Sequence, residues 1–462
     1  MRFISTRGRA PEVGFTDALL AGLAPDGGLY APTTWPTIAA EDIAGFSGRP
    51  YPAVAADILG RFAGEEIKAE DLHRICARAY ARFAHTATAP LVQLAPDRFL
   101  LELFHGPTLA FKDVAMQVLG GLFEHALKAR RRGMTIVAAT SGDTGGAAAA
   151  AFAGLTGVRL LVLFPEGRVS DVQRRFMTTT GASNVRCLAV AGDFDDCQAI
   201  LKGLFADAAF VRDTELAAVN SINFARIAAQ CVYFFTAAAA LGAPARKTAF
   251  AVPTGNFGDA YAGWAAARMG LPIGRLIIAT NANDIVARAL AHGDYRRGPA
   301  IATQSPAMDI QAASNFERLH FEYAGRGALE TAEAFATFSR TGGLTLTPAL
   351  REALAELFVG VASSEAATAA AMRRTWETAG RLIDPHTAVA VAGADQLAAP
   401  PSSTPLVILA TAHPAKFPEA VAAATGQVAH APAATRLEGL QERYDRLPAD
   451  AEAVKTYVRA WG

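Results

Sequence analysis

Residues 135–151 read Thr-Ile-Val-Ala-Ala-Thr-Ser-Gly-Asp-Thr-Gly-Gly-Ala-Ala-Ala-Ala-Ala. A short apolar run leads into a polar, glycine-rich turn, and an alanine-rich segment follows the turn. This order predicts a buried strand over 135–140 that turns directly into a helix. Because the same order recurs along the chain from about residue 98, it predicts βαβ units and a mainly parallel sheet. The sequence therefore indicates an α/β fold.

Further apolar runs predict strands, and most of them lead into helical patterns; these runs are 159–164, 185–190, 216–220, 248–252, 275–279 and 406–411. Residues 291–345 break this rhythm, and 293–299 within them are predicted to form a loop. The stretch 396–405 is rich in Ala, Pro and Ser, which predicts a surface linker before the last strand.

The beginning of the chain follows a different pattern. Residues 1 to about 95 contain amphipathic segments at 52–63 and 69–84, which predict a mainly helical N-terminal unit. Residues 227–245 form an uncharged stretch that is long enough to be questioned as a membrane span. It is rich in alanine, contains Gln230 and Pro244, and stands alone between two arginines. We therefore expect a buried core helix there, and no membrane partner.

The composition narrows the class of protein. The chain has 462 residues, of which 52% are hydrophobic, and no formal net charge. It is long enough for two or three domains and too apolar for a disordered protein. Its neutral charge gives no reason to expect a nucleic-acid partner. The four cysteines lack disulfide or metal-ligand spacing and no HExxH motif occurs, which predicts a reduced, cytoplasmic, metal-free protein.

Lys112 is a candidate for chemistry. It lies in the run His105-Gly-Pro-Thr-Leu-Ala-Phe-Lys112-Asp113, in a chain whose basic residues are mostly arginine. Apolar surroundings favour the uncharged amine, which can form a Schiff base, whereas arginine does not lose its proton. The alternative is a lysine at a helix start with its ammonium group in solvent.

Turns that follow predicted strands are the places to look for a site, because parallel sheets bind ligands at the carboxyl ends of their strands. The turn 140–146 offers the hydroxyls of Ser141 and Thr144 and the N–H groups of a helix start to an anion such as a carboxylate. The turn 253–259 has the same form and suits a phosphate, although neither a Walker A loop nor a dinucleotide fingerprint occurs. Ordinary helix N-caps use the same residue types.

Two more turns carry polar residues. Thr411 ends a predicted strand, and Lys416 follows it closely. Arg226 lies about one helical turn after Asn223, so both side chains can face one pocket. An amine, two anion-binding turns and further phosphate-binding residues on one α/β scaffold indicate a cofactor with both an aldehyde and a phosphate. Pyridoxal phosphate fits this description.

These motifs, in this order, resemble those of the threonine synthase family, which belongs to the fold-type II pyridoxal-phosphate enzymes; they are residues 5–8, 22–30, 105–113, 141–145, 220–226, 255–259, 314–318, 384–387 and 411–417. The resemblance implies fold-type II architecture, with mainly parallel sheets flanked by helices and a helical N-terminal domain. It also implies three domains: an N-terminal domain, 1–95; a large cofactor-binding domain, 96–134 and 222–462; and a small α/β domain, 135–221.

The resemblance implies a lyase that converts O-phospho-L-homoserine and water to L-threonine and phosphate, as a monomer or homodimer. A degradative pyridoxal-phosphate-dependent phospholyase acting on a phospho-amino acid is the alternative. Carried over by position, Lys112 would hold the cofactor and act as the general base, and Thr411 would bond to the pyridine nitrogen. The cofactor phosphate would lie at Gly255, Asn256, Phe257 and Asp259. The substrate's amino-acid end would meet Ser141, Asp143 and Thr144, and its phosphate would meet Ser221, Asn223, Arg226 and Lys416.

Overall fold

The structure is a computed structural model that describes residues 1–397 and 404–461. Most of the predicted linker 396–405 lies outside the described residues. The N-terminal unit begins with a small antiparallel sheet of three strands, β1 (Arg2–Ser5), β2 (Val13–Gly14) and β3 (Tyr30–Pro32). Its helices are α1 (Phe15–Ala21), α2 (Ala40–Gly45), α3 (Tyr51–Ala63) and α4 (Ala69–Tyr80). The last two confirm the predicted amphipathic segments.

The next segment, residues 91–218, begins with two strands and a long helix. It contains β4 (Leu91–Ala95), β5 (Arg98–Glu102) and the long helix α5 (Lys112–Arg130). An alternation of strands and helices follows: β6 (Met134–Ala139), α6 (Asp143–Phe152), β7 (Val158–Pro165), α7 (Asp171–Thr178), β8 (Val185–Ala191), α8 (Phe194–Ala206), α9 (Ala208–Thr214) and β9 (Leu216–Ala218). The small residues of α6 allow close packing on α5, where a Cβ at Gly120 would lie 2.6 Å from the carbonyl oxygen of Ala151.

The remainder of the chain completes both sheets. Its first half contains α10 (Phe224–Ala240), β10 (Thr248–Pro253), α11 (Gly258–Arg268), β11 (Ile273–Thr280), α12 (Ile285–His292), β12 (Asp294–Arg296), α13 (Phe316–Tyr323), α14 (Ala328–Thr341) and β13 (Gly343–Thr345). Its second half contains α15 (Pro348–Ala355), β14 (Phe358–Ala362), α16 (Glu365–Ala379), α17 (Pro385–Asp395), β15 (Leu406–Ala410), α18 (Pro418–Thr425), α19 (Pro432–Thr435), β16 (Asp445–Pro448) and α20 (Ala451–Ala460).

Two mainly parallel sheets form the body of the fold, as predicted. The larger has the order β14-β11-β10-β15-β5-β4, in which only β4 is antiparallel to its neighbour. The smaller has the order β16-β8-β7-β6-β9 and is parallel throughout. Helix α10 is almost wholly buried, which confirms the predicted core helix. Among the described residues, no helix is both long and apolar enough to cross a membrane.

The structure contains strands that the sequence did not predict, and three of them show the reason. Strand β12 lies inside the predicted loop 293–299 and pairs with β13, almost fifty residues later in the chain. Strand β14 was not predicted; it reads Phe-Val-Gly-Val-Ala, a short apolar run interrupted by a glycine, and lies at the edge of the large sheet. Strand β16 is exposed and reads Asp-Arg-Leu-Pro, which has no strand pattern. In each case pairing with a distant strand decides the conformation.

The predicted domain division stays a prediction, and two strand pairings cross its boundaries. Strand β4, placed in the N-terminal domain 1–95, pairs with β5 in the large sheet. Strand β16, placed in the large domain, pairs with β8 in the small sheet. The end of the chain therefore returns to the unit formed by 135–221.

Candidate active site

Lys112 begins helix α5 next to the carboxyl end of strand β15. The N–H of Phe111 donates to the carbonyl oxygen of Thr411 at 2.8 Å, and the N–H of His413 donates to that of Leu109 at 3.0 Å. These bonds bring together the predicted Lys112 and Thr411 turns. The Lys112 side chain is only 13% exposed, and its Nζ lies 5.4 Å from the centre of the Phe111 ring.

The carboxylate of Asp143 bridges two lysines. Its Oδ2 lies 3.3 Å from Lys112 Nζ, and its Oδ1 lies 2.6 Å from Lys416 Nζ. Gln173 holds the carboxylate in place by donating from Nε2 to Oδ1 at 2.9 Å. Lys416 also donates to the carbonyl oxygen of Thr108 at 2.9 Å. Three predicted segments therefore meet at one buried carboxylate, and Lys112 is the less tightly held of its two amines.

Electrostatics favours a reactive amine at Lys112. Burial lowers its pKa from the ordinary value, although the charge of Asp143 opposes this shift. Burial alone would raise the pKa of Asp143, but Lys416 and Lys112 outweigh it and hold that pKa well below the usual range. The carboxylate therefore stays ionised while the Lys112 ammonium group gives up its proton more readily than a solvated lysine does.

The turn before α6 has a conformation that requires glycine. Gly142 has φ of +132°, and a Cβ there would lie 2.5 Å from Gln173 Cδ. The hydroxyl of Thr140 accepts hydrogen bonds from the N–H groups of Gly142 and Gly145, each at 2.9 Å. The half-buried hydroxyls of Ser141 and Thr144 bond to no other residue that the structure describes. They are therefore available to a ligand, and their contact with substrate stays a prediction.

The turn 253–259 approaches two neighbouring loops closely. Phe257 has φ of +60°, a left-handed conformation that is strained for a bulky residue, and α11 begins directly after it. A Cβ at Gly255 would lie 2.8 Å from the carbonyl oxygen of Ala307. Asn256 accepts hydrogen bonds at its carbonyl oxygen from both the N–H and the Nδ2 of Asn315, each at 3.1 Å. The N–H groups of the first turn of α11 remain for an anion.

Arg226 is the strongest sign of an anion site. It is buried in α10, and its Nε and Nη1 have no hydrogen-bond partner among the described residues. Burial lowers its pKa to about 10, and its charge contributes to the lowered pKa of Lys112, so the two cations lie in one region. An unpartnered buried guanidinium is unfavourable, and a bound anion would satisfy it.

Two other predicted residues already have structural partners. Asn223 caps α10 by accepting from the N–H of Ala225 at 3.0 Å, and its Nδ2 donates to the carbonyl oxygen of Leu19 at 2.8 Å. Ser221 accepts at its carbonyl oxygen from Asn315 Nδ2 at 3.0 Å. Contacts of these two residues, and of Asp143, with substrate stay predictions.

Some residues that shape the site were not predicted. Gln173 carries a signal in the sequence, because Ser170 and Gln173 form a capping box at the start of α7. His386 accepts from the N–H of Ala307 at Nε2, 3.2 Å away, so its Nδ1 carries the proton bonded to Asp384 Oδ2 at 2.7 Å. This histidine fixes the loop that faces Gly255. Its neighbours along the chain give no hint of that contact.

Asp259 gives the site a pH dependence that can be measured. Tyr233 donates its hydroxyl to Oδ1, while Oδ2 has no partner among the described residues, and burial raises the Asp259 pKa to about 7. Between about pH 4 and pH 7 the folded protein therefore holds a proton here that the unfolded chain releases. The free energy of unfolding should fall as pH rises through this window, by about 1.4 kcal/mol per pH unit from this group.

Urea unfolding of the cofactor-free protein and of the Asp259→Asn variant, compared at several pH values, isolates this contribution. The variant should gain stability relative to the parent as pH rises from 4 to 7. A difference that stays constant over this range would show that Asp259 is ionised in the fold.

Comparisons with known proteins agree with this site. Three family models match the chain: "Threonine synthase N terminus" over residues 2–80, "Pyridoxal-phosphate dependent enzyme" over 88–357 and "Threonine synthase, C-terminal" over 387–458. A threonine synthase from Pseudomonas aeruginosa is 46% identical, over 100% of this chain and 99% of its own. A human protein called Threonine synthase-like 2 is 37% identical, over 92% of this chain and 89% of its own.

Solved structures give the same result. A threonine synthase from Brucella melitensis with bound PLP superposes with a TM-score of 0.96 and 49% identity, over 100% of this chain and 99% of its own. The yeast threonine synthase superposes with a TM-score of 0.93 and 37% identity, over 100% and 98% of the two chains. These matches cover the whole molecule, including the turns that meet at Lys112. The chain therefore belongs to the threonine synthase family of pyridoxal-phosphate-dependent enzymes.

Proposed function

We propose that the protein converts O-phospho-L-homoserine and water to L-threonine and phosphate, with pyridoxal phosphate bound at Lys112. The observation that carries this proposal is a buried amine, Lys112, in one region with the unpartnered guanidinium of Arg226, while the phosphate-binding turn 253–259 follows the neighbouring strand β10. The cofactor brings one phosphate and phosphohomoserine brings a second. A reaction with two phosphates in one site accounts for both the turn 253–259 and the unpartnered Arg226.

The residues fit the cofactor. Lys112 Nζ supplies the amine for attachment, the start of α11 with Gly255 and Phe257 supplies the phosphate site, and the Thr411 hydroxyl supplies a neutral partner for the ring nitrogen. The Arg226 guanidinium, which lacks a partner in the protein, accounts for a further anion. When bound, pyridoxal phosphate supplies an aldehyde for covalent attachment and a ring that withdraws electrons from the substrate's Cα.

The residues of the site then have separate roles in the reaction. Lys112 removes the proton from Cα with its Nζ, and its lowered pKa suits it to this role. Ser141 and Thr144 bind the substrate's carboxylate, while Arg226 and Lys416 bind its phosphate. Asp143 holds the Lys416 ammonium group in place through their 2.6 Å ion pair. A proton leaves Cβ, and the Cγ–O bond to phosphate breaks. Cγ gains a proton to become the methyl group, water supplies the hydroxyl at Cβ and a proton to the released phosphate, and Lys112 returns the proton to Cα.

We also propose that the protein acts in the cytoplasm, as a monomer or a homodimer. All four cysteines are unpaired and buried, which agrees with a reducing compartment. The neutral charge of the chain gives no basis for binding nucleic acid.

The products of the reaction test this function. Holoenzyme incubated with O-phospho-L-homoserine in ¹⁸O-labelled water should release threonine and phosphate in equal amounts, with the label in the threonine hydroxyl. Formation of 2-oxobutanoate and ammonia instead would contradict the proposal and would support the degradative phospholyase. Buffer with free cofactor and no protein is the control.

A further inference from the structure

Asn315 joins the two turns that precede α10 and α11. It is fully buried, and its Nδ2 donates to the carbonyl oxygen of Ser221 at 3.0 Å and to that of Asn256 at 3.1 Å. Its own N–H also donates to the Asn256 carbonyl oxygen at 3.1 Å. One side chain therefore bridges the turn assigned to the substrate phosphate and the turn assigned to the cofactor phosphate.

Arg318 orients the Asn315 amide. This guanidinium is 0% exposed, and it donates from Nη1 to Asn315 Oδ1, from Nη2 to the carbonyl oxygen of Ile222 at 2.5 Å and from Nε to that of Tyr30 at 2.9 Å. Because Arg318 donates to Oδ1, the Nδ2 of Asn315 has to point at the two turns. A flipped amide would place its oxygen against two carbonyl oxygens and its NH₂ group against a cation.

Arg318 has an unusual environment for a buried charge. Its three acceptors are neutral, and it forms no ion pair with a carboxylate that the structure describes. Burial lowers its pKa to about 10. A buried cation without a counter-ion is unfavourable, and the three hydrogen bonds that Arg318 donates offset this cost. A hydrophobic side chain would fill the same space, but it would leave the Asn315 amide without a defined orientation.

Helix α13, which begins directly after Asn315 and contains Arg318, is anchored from the other side. Glu317, at the start of α13, accepts from Thr6 Oγ1 at 2.7 Å and from Arg7 Nε at 3.0 Å and Nη2 at 2.9 Å. The N-terminal unit therefore fixes the start of α13, and α13 fixes the two turns. The bonds from Thr6 and Arg7 to Glu317 are mostly shielded from water, and hydrogen bonds are strong in such surroundings.

We propose that Asn315 and Arg318 are positioning residues that set the spacing between the cofactor-phosphate and substrate-phosphate sites. The proposal rests on the proposed function, because it takes the two turns as the two phosphate sites. Neither residue touches a ligand itself. Loss of the bridge lets the turns move apart, which weakens the binding of both ligands more than it slows the chemical step at Lys112.

Asn315→Ala is the direct test, with Asn184→Ala as the matched control. Asn184 makes the same kind of bridge far from the site: its Nδ2 donates to the carbonyl oxygens of Phe152 and Val158, each at 2.9 Å. Asn315→Ala should raise both the dissociation constant of pyridoxal phosphate and the KM for phosphohomoserine by about tenfold or more, since two buried hydrogen bonds are lost. With both ligands saturating, kcat should stay within about threefold of the parent. Asn184→Ala should leave both binding constants unchanged.

Thermal unfolding with and without the cofactor separates this effect from a general loss of stability. The shift in Tm on adding cofactor reports affinity by mass action, and it should shrink in Asn315→Ala but not in Asn184→Ala. Asn315→Ser takes the place of Asn315→Ala if the latter does not fold. Arg318→Lys, which keeps the charge but loses the fork of donors, should show the same pattern more weakly.

The outcomes are distinct. Parent-like cofactor affinity and KM in Asn315→Ala, or a fall in kcat alone, would overturn the positioning role. Equally weakened binding of the cofactor and the substrate in Asn184→Ala would show that a general loss of stability causes the effect. That result would also overturn the positioning role. Failure of the parent protein to bind pyridoxal phosphate would contradict the proposed function itself, whichever Asn315 variant is compared with it.

Discussion

Lys112→Ala is expected to reduce turnover of O-phospho-L-homoserine by at least about 10³-fold, because it removes both the covalent attachment and the general base at Cα. The structure gives no ready replacement. Lys416 is the other amine at Asp143, but a 2.6 Å ion pair and a 2.9 Å bond to the Thr108 carbonyl oxygen hold its ammonium group. Steady-state release of phosphate, compared with the parent at equal protein concentration, measures the loss.

Lys128→Ala is the matched control. Lys128 lies in the last turn of the same helix, α5, on an exposed surface. Its replacement removes an equal charge and should leave turnover and cofactor absorbance unchanged. Activity in Lys112→Ala within about tenfold of the parent would show that another group performs the proton transfer.

Arg226→Met is expected to change stability and substrate binding in opposite directions. The variant removes a buried cation with two unpartnered nitrogen atoms, so the ligand-free protein should become more stable by about 1–3 kcal/mol. It also removes a charged contact to the substrate phosphate, which should raise KM by roughly 100-fold. Urea unfolding of the ligand-free protein and steady-state kinetics measure the two effects.

Arg318→Met provides the contrast, since Arg318 is as buried as Arg226 but donates to three protein acceptors. That variant leaves the Asn315 amide and two carbonyl oxygens without their donor, so it should lose stability. A loss of stability in both methionine variants would mean that Arg226 has a partner within the protein. An unchanged KM in Arg226→Met would remove it from the substrate-phosphate site.

Local patterns in the sequence were sufficient to predict much of the fold and of the candidate site. The alternation around 135–151 predicts β6, its turn and α6, because a buried parallel strand and a packed helix each leave a clear hydrophobic signature. Lys112 stands out by its residue type among apolar neighbours. Such features depend only on nearby residues, and the structure places Lys112, Thr411 and the turn 140–146 together.

Local patterns could not predict the contacts between segments that are distant in the sequence. The bridge from Asp143 to Lys416 joins residues about 270 positions apart, and no property of Asp143 alone distinguishes it from a helix cap. Asn223 shows the reverse case, since the residue predicted as a ligand contact caps α10. The Asn315 bridge is visible only in three dimensions, because it links carbonyl oxygens of Ser221 and Asn256, and any residue type presents a carbonyl there.

In the proposed function Lys112, rather than Lys416, carries the cofactor. Both amines contact Asp143, but Lys112 is the more weakly held, at 3.3 Å against 2.6 Å, and burial lowers its pKa. Reduction of the holoenzyme with borohydride, followed by peptide mapping with mass spectrometry, fixes the cofactor to the lysine that holds it. We expect a pyridoxyl group on the peptide that contains Lys112. A label on Lys416, or no label on either lysine, would contradict the assignment of Lys112 as the lysine that carries the cofactor.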